Sequence, residues 1–402
     1  MKKKYCFIFI LVLILVEVIS CKKLNPVSTS SDYIEINLDE IPKKDSLLFS
    51  EIFKKIDVIR LSDDMLIRDF SKILVDKEKL YILDKFSSAV FVFDKNGKYL
   101  QKIGSRGKGP GELSEAFDMS IDKKNNVIYI IDIKTQKINK YNIEDGMFQS
   151  SLSLSTNMPI SSYIFYENDT IYISQFDPSK NESEYLFKIN PLNNENEDLI
   201  IPTSYNKGWD NAMTNYNGPF LLKWDNKPLL SHLFMDTIYE YSNGNTKPYI
   251  VLSGIENNFF IQSDLSELDV NKNPMDLIKI VEYKKYHNIH NFIDTNNFIF
   301  FKVHKGRQFQ NILYNKEKLL AEKVESVKED MLFDTVDVKR LPLNFGSKDG
   351  KFVFYYIAPD DWKTLKKSVD YIKDEPLLNV LKTMKDEDSF NGFILRYELA
   401  LN

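Results

Sequence analysis

The stretch VFVFDKNGKYLQKIGSRGKGPGEL, Val90 to Leu113, decides how this chain is read. Two short apolar runs, Val90–Phe93 and Tyr99–Ile103, flank Asp94-Lys95-Asn96-Gly97. Asn and Gly tolerate the positive φ of tight turns, so a β-hairpin is expected there. The following Gly104–Gly111 segment carries four glycines and Pro110, which suits neither helix nor strand, and a new apolar segment begins at Ala116. The loop separates two copies of one unit.

Both copies can be traced outward from it. Val75-Asp76, Leu80-Tyr-Ile-Leu-Asp84, Phe93-Asp94 and Gly97 recur as Ile121-Asp122, Ile128-Tyr-Ile-Ile-Asp132, Tyr141-Asn142 and Gly146, at offsets of 46, 48, 48 and 49. Four short strands with their turns consume about 40–50 residues, the period of a β-propeller blade. The motif Gly104-x-x-Gly107-x-Gly109-Pro-Gly-Glu-Leu113, followed by Ile121-Asp122, Val127–Asp132, Lys137–Tyr141 and Asp145-Gly146, resembles an NHL-type propeller repeat over roughly residues 70–150. The whole chain resembles the six-bladed β-propeller lipoproteins of Bacteroides-type bacteria. That resemblance implies a fold and a location rather than a reaction.

The expected architecture is all-β: a six-bladed propeller of four-stranded antiparallel blades spanning residues 33–402, with short helical insertions. Blades one and two are the copies above. Blade three is expected in Ser162–Tyr166, Thr170–Ser174, Tyr185–Ile189 and Leu199–Ile201, and blade four in Phe220–Trp224, Pro228–His232, Thr237–Tyr241 and Tyr249–Leu252. Blade five takes His290–Asp294, Asn297–Val303, Gln310–Asn315 and Lys318–Glu322; blade six takes Arg340–Leu343, Lys351–Ile357 and Phe393–Leu399. Helical spacing of apolar residues marks Ser263–Tyr286 and Pro376–Met384 as insertions. Tyr33–Leu38 is expected to pair with Phe393–Leu399 and close the ring, removing exposed edges. The other reading is seven blades, with Asp45–Asp69 forming one of its own.

At the N-terminus, Met1-Lys-Lys-Lys4 and the apolar run Tyr5–Val16 read as an export signal, because the run is shorter than the roughly 20 apolar residues of a spanning helix. Val18-Ile19-Ser20-Cys21 resembles the lipoprotein processing box, which makes residues 1–20 a signal peptide, Cys21 the acylated residue and 21–32 a tether. The expected location is the cell envelope, on the outer membrane and facing the periplasm, held by acyl chains whose buried CH₂ groups contribute about 0.8 kcal/mol each. Only Cys21 would remain after processing, so no intrachain disulfide is expected. Cleavage removes three Lys and one Glu, taking the formal charge from −5 to about −7; a mildly acidic protein is a poor candidate for nucleic acid, whose binders usually carry a basic face, so no nucleic acid partner is expected.

In a propeller the blade-to-blade crossovers and the turns between second and third strands share one face, where ligands are usually met. Three sets of residues fall there. Arg106 and Lys108 add charge to the glycine loop, whose backbone could present N–H groups to an anion. It lacks the Gly-Lys-Ser/Thr ending of a P-loop and the helix of a dinucleotide fingerprint, so a plain crossover is the competing reading. Tyr205, Trp209, Asp210, Tyr216 and Trp224 combine flat apolar faces with short polar groups suited to a sugar or peptide, or else cover a blade edge. His232 and His304 fall at the ends of second strands, and His287 and His290 in the loop entering blade five; together they offer imidazole ligands for a divalent metal. No other cofactor is expected, and no nucleophile elbow, His-Glu-x-x-His pair or Ser-His-Asp order occurs. The expected function is a lipid-anchored binding or scaffolding module for a glycan, a peptide or an envelope protein. The alternative is a metal-dependent hydrolase, lactonase or lyase with its site at the channel mouth.

Overall fold

The computed structural model describes most of residues 27–400. Residues 1–26, 155–162, 175–183, 192–195, 201–219, 224–227, 232–235, 255–285, 339–344, 347–350, 362–368, 384–390 and 401–402 lie outside that description, as do 30–31, 77, 168, 243–244, 307, 335 and 360. The described strands fall into six sheets. Sheet I is Phe70–Asp76, Lys79–Asp84, Ala89–Asp94 and Tyr99–Ile103; sheet II is Ala116–Asp122, Val127–Asp132, Lys137–Asn142 and Phe148–Ser153. Sheet III is Tyr163–Glu167, Thr170–Ser174, Glu184–Ile189 and Asn196–Ile200. Sheets IV and V are built around Phe220–Ser253 and Tyr286–Glu329. Sheet VI joins Phe345–Gly346, Phe352–Ile357 and Phe393–Leu399 to Phe53–Arg60. Within each, consecutive strands pair antiparallel, so a sheet grows from an inner first strand to an outer last one.

Each sheet packs on the next, and the sixth on the first. Leu83, Val90 and Val92 of sheet I share a core with Met119, Ile128 and Ile130 of sheet II. Val127, Tyr129 and Ile131 of sheet II meet Ile164, Tyr166 and Ile171 of sheet III. Tyr172 of sheet III meets Tyr241 of sheet IV edge to face, with ring centres 5.3 Å apart. The Tyr249 hydroxyl of sheet IV donates to Asp294 of sheet V at 2.6 Å. Apolar residues of sheets V and VI merge in one cluster, and Phe70 of sheet I stacks on Tyr356 of sheet VI at 4.2 Å. The molecule is thus an all-β propeller of mostly antiparallel sheets with few helices.

The 46-residue period is visible as bonding between inner strands. Lys72 donates to the buried Asp118 carboxylate at 2.7 Å, and the other Asp118 oxygen accepts the Ile164 N–H at 2.8 Å. Two residues on, Ser120 Oγ accepts the Tyr166 N–H at 2.8 Å. The Asp94–Lys98 turn also forms as expected: Asp94 Oδ1 accepts the Asn96 and Lys98 N–H groups, and Gly97 takes φ +87°. A Cβ on Gly97 would run into the Arg60 carbonyl of sheet VI, so glycine is required there by packing as well as by φ.

Several expectations are corrected. Closure uses Phe53–Arg60, which pairs with Phe393–Leu399 from Arg60↔Phe393 to Phe53↔Leu399, and not Tyr33–Leu38. The closing strand must hand over directly to the inner strand at Phe70, and Phe53–Arg60 is the strand immediately before it. Ile34–Asn37 instead adds to sheet IV, parallel to Asn245–Ser253, and carries Val27–Thr29, read above as tether, on its free edge. Lys43–Leu48 adds to sheet V, parallel to Leu320–Glu329. Two sheets therefore exceed four antiparallel strands, and Asp45–Asp69 forms no sheet of its own. His287 and His290 stand within strand Tyr286–Asp294, not in a loop before it. The C-terminal helix is present as Glu375–Thr383, with Leu377 and Leu381 buried, whereas Ser263–Lys285 lies outside the described residues.

The closing strands carry an ion pair: Arg396 donates to Asp57 at 2.7 Å. Burial pushes the Asp57 carboxyl upward, but hydrogen bonds and charge from Lys55 and Arg396 outweigh it and hold it below its ordinary value of about 3.9. A depressed folded-state pKa gives stability that is complete above the unfolded value and is lost as pH falls through the folded one. Asp57→Asn should cost about 1 kcal/mol at pH 7. It should also flatten the loss of stability below about pH 4, measured as urea midpoints across pH. An unchanged acid slope would remove this pair from the account of closure.

Candidate functional site

Two equivalent carboxylates shape the face around sheets I and II. Asp84 and Asp132 end the second strands of these sheets and are wholly buried. Asp84 accepts the Asp69 N–H at 2.6 Å and the Ser87 hydroxyl at 2.6 Å. Asp132 accepts the N–H groups of Ser114 at 2.7 Å and of Lys134 and Thr135 at 3.1 Å. Each ties the turn between second and third strands to the segment leading into its own sheet. A buried carboxylate accepting several N–H groups is well compensated. Crossovers and these turns therefore share one face, as the sequence implied.

On that face cations and aromatic rings interleave. Phe86, in the turn fixed by Asp84, is 54% exposed, and the Arg68 guanidinium lies 4.8 Å from its ring centre. The Lys85 ammonium sits 4.1 Å from the ring centre of Phe117 in sheet II. Arg106 reaches from the crossover to donate to the Lys85 carbonyl at 3.0 Å. Exposed Lys108 and Lys134 flank this group, with Asp69 and Glu115 as the nearby exposed carboxylates. Cations over ring faces are attracted by the ring quadrupole, by about 0.5–1 kcal/mol at exposed sites, which holds the long side chains in place.

The glycine loop itself is closed to an outside anion. The Glu112 carboxylate accepts the N–H groups of Lys108 at 2.9 Å and Gly109 at 2.8 Å. Gly107 N–H goes to the Leu113 carbonyl and Leu113 N–H to Ser105. The backbone donors that suggested a phosphate cradle are consumed within the loop, and a Cβ at Gly107 would collide with the Glu112 carboxylate. What remains of that reading is the side chain of Arg106 and the exposed Lys108.

The other candidates are distributed otherwise. Tyr205, Trp209, Asp210, Tyr216, Trp224, His232 and Cys21 lie outside the described residues. His287 and His290 are placed by their backbone, with Asn288 opposite His304 and His290 opposite Lys302. His304 has its pKa lowered by burial and then by the neighbouring Lys302 charge. Lys302 is itself buried, with its ammonium 4.4 Å from the Phe309 ring centre. A fixed ammonium beside His304 disfavours a second cation there. Among the described residues no group of three or more His, Cys, Asp or Glu is placed to hold a metal. A shallow depression of about 630 Å³ at the outer rim, between Arg60–Asp64 and Asn96–Lys98, has its Arg60 already paired with Asp63 at 2.9 Å.

Sequence reading passed over Arg68, Lys85, Phe86 and Phe117. Its signal was present for two of them, since Asp84–Ser88 was assigned to this face; Arg68 and Phe117 come into reach only through the Asp84 anchor and the inter-sheet contact. The internal hold of Glu112 gives a test. Glu112→Ala should free two N–H groups and raise the rate of trypsin cleavage after Arg106 and Lys108 by about tenfold or more, because each charged hydrogen bond contributes about 1.5–3 kcal/mol. Limited proteolysis with the fragments mapped by mass checks it, and an unchanged rate would mean the carboxylate does not hold the loop.

The chain is similar in structure to an 18%-identical Bacteroides fragilis protein described as exported, with a TM-score of 0.65 over 89% of this chain and 99% of that one. A DUF4221 family member of Bacteroides vulgatus aligns at 11% identity and a TM-score of 0.49, over 86% and 96% of the two chains. The WD40 repeats of RRP9 align at 9% identity and 0.42, over 86% and 97%. At these identities the first likeness is one of fold. A comparison with curated proteins finds no match. The family description that matches is a domain of unknown function, DUF4934, over residues 33–397, which gives the NHL-type likeness of residues 70–150 no support. Spanning nearly the whole folded chain, that match makes this protein a member of the DUF4934 family.

Proposed function

We propose that this chain is an envelope-resident binding module, a propeller with each of its six sheets serving as one blade, that captures a peptide, glycan or envelope protein on the face bearing Arg68, Lys85, Phe86 and Arg106. The exposed Phe86 ring beside organised cations carries the proposal, because an apolar ring and positioned charged donors lie together there and can be met by one ligand at once. Propeller crossovers vary without disturbing the sheets beneath them, so recognition can reside there while the fold is kept. Residence in the envelope rests on the N-terminal signal and on the exported description of the Bacteroides fragilis fold neighbour. No helix among the described residues is long and apolar enough to cross a membrane; attachment is proposed on the processing box alone, through acylation of Cys21.

Two measurements test this. Cys21→Ala should move the exported protein from the membrane pellet to the soluble fraction, and a variant that stays in the pellet would sink the acyl anchor. A photo-crosslinking residue at Phe86 should yield discrete adducts in intact cells, and one at Lys95, in the turn at the far end of the hairpin, should not. Equal adducts at both positions, or none at Phe86, would overturn the assignment of the face.

A further inference from the structure

We infer that the ligand of this face is an acidic peptide segment, one that presents side-chain carboxylates next to an apolar residue. The inference rests on the binding-module reading above and deepens it.

Three observations carry it. First, cations crowd the solvent-facing part of this face. On a chain of formal charge −5, the face gathers Arg68, Lys85, Arg106 and Lys108 around one aromatic pair. Of the carboxylates on this face, Asp84 and Asp132 are buried and turned to backbone N–H groups and Glu112 is turned to those of its own loop, which leaves Asp69 and Glu115 as the other exposed ones among more numerous exposed cations. Cationic side chains that face solvent, with part of their counter-charge buried beneath them, favour an anionic partner that can reach them directly.

Second, the cations are positioned rather than loose. The Arg106 guanidinium is fixed through Lys85 O, and Arg68 and Lys85 lie over rings. A guanidinium offers paired donors to a carboxylate, and one held in advance loses less entropy on binding than a free side chain does.

Third, the aromatic surface is arranged for an apolar side chain more than for a sugar. A saccharide platform uses an open ring face, whereas each ring here has a cation over it. What Phe86 leaves to solvent, with 54% of its surface exposed, can bury an apolar residue flanking the carboxylates.

The test uses the full mature chain and three fluorescent probes: a peptide alternating Asp with Phe and Leu, the same peptide with Asn for Asp, and an oligogalacturonate of similar length. Anisotropy at low salt should show the acidic peptide bound at least tenfold more tightly than its Asn counterpart, with affinity falling as salt rises. Arg68→Glu should weaken it at least tenfold with an unchanged thermal melt, and Phe86→Ala should weaken it at every salt concentration. Should Arg106→Ala alter the melt through its bond to Lys85, Arg68→Glu still decides the matter. If the oligogalacturonate binds at the Arg68-dependent site and the peptide does not, the binding face stands and the peptide class is overturned. If neither anionic probe binds, or the peptide binds equally to Arg68→Glu, the peptide inference falls; the adduct pattern from Phe86 separately decides the face.

Discussion

The pairing of Phe53–Arg60 with Phe393–Leu399 is the constraint on which the rest of the molecule depends. A ring of sheets buries each face against a neighbour, so no sheet can be omitted without exposing two apolar faces at once. Sheet VI is completed only when a strand from the beginning of the chain meets one from its end. Ile59 and Ile394, opposite each other in that pairing, belong to the cluster that packs on Ile73, Leu80 and Phe91 of sheet I. Asn391 secures the same junction. Wholly buried, it accepts the Ile67 N–H at 2.7 Å and donates to the Ser62 and Met65 carbonyls. The segment leading into sheet I is thereby bonded to the segment leading into the last strand. Closure is tertiary in origin and long in sequence separation, the kind of contact whose loop entropy is repaid only when the ring is complete.

Buried polar groups fix register where apolar packing alone would tolerate slippage. Asp118 can accept Lys72 and the Ile164 N–H together only if three consecutive inner strands are aligned at the 46-residue spacing. Shifting one strand by a residue would turn its side chains to the other face and leave Asp118 uncompensated, which costs more than a lost apolar contact. Asp84 and Asp132 do the same for the turns, and those turns carry the exposed Phe86 and Lys134. The face formed by these turns is therefore a consequence of the register: the carboxylates that align the sheet also set the positions of the side chains that project from it.

This explains what the sequence disclosed and what it withheld. The hairpin at Asp94–Lys98, the two copies around the glycine loop and most strand positions in sheets III to V follow from local chemistry: turn residues, alternation, and a period that repeats. Closure did not follow, because Tyr33–Leu38 and Ile56–Leu61 both read as strands and nothing local says which pairs at the C-terminus. The deciding constraint is positional, the short path from Arg60 to Phe70. The parallel additions of Ile34–Asn37 and Lys43–Leu48 were likewise invisible, since a strand's partner and direction are not written in its own residues. At the site, Arg106 and Lys108 were legible as charges in a glycine loop. That Glu112 fills the loop from within was not, although the carboxylate stands only three and four residues from the N–H groups it accepts.

The N-terminal segment also decides which outer edges are covered. Ile34–Asn37 covers the outer edge of sheet IV, Lys43–Leu48 that of sheet V, and Phe53–Arg60 becomes the outer strand of sheet VI, so the chain wraps these three in order. An exposed outer strand invites pairing with other chains, and covering it removes that hazard. Among the described residues, sheets I, II and III receive no such added strand and end in Tyr99–Ile103, Phe148–Ser153 and Asn196–Ile200. The first two of those edges are blunted by composition instead: Phe148–Ser153 presents Gln149, Ser150, Ser151 and Ser153 to solvent and Tyr99–Ile103 carries Gln101 and Lys102, short polar strands that make poor templates for pairing.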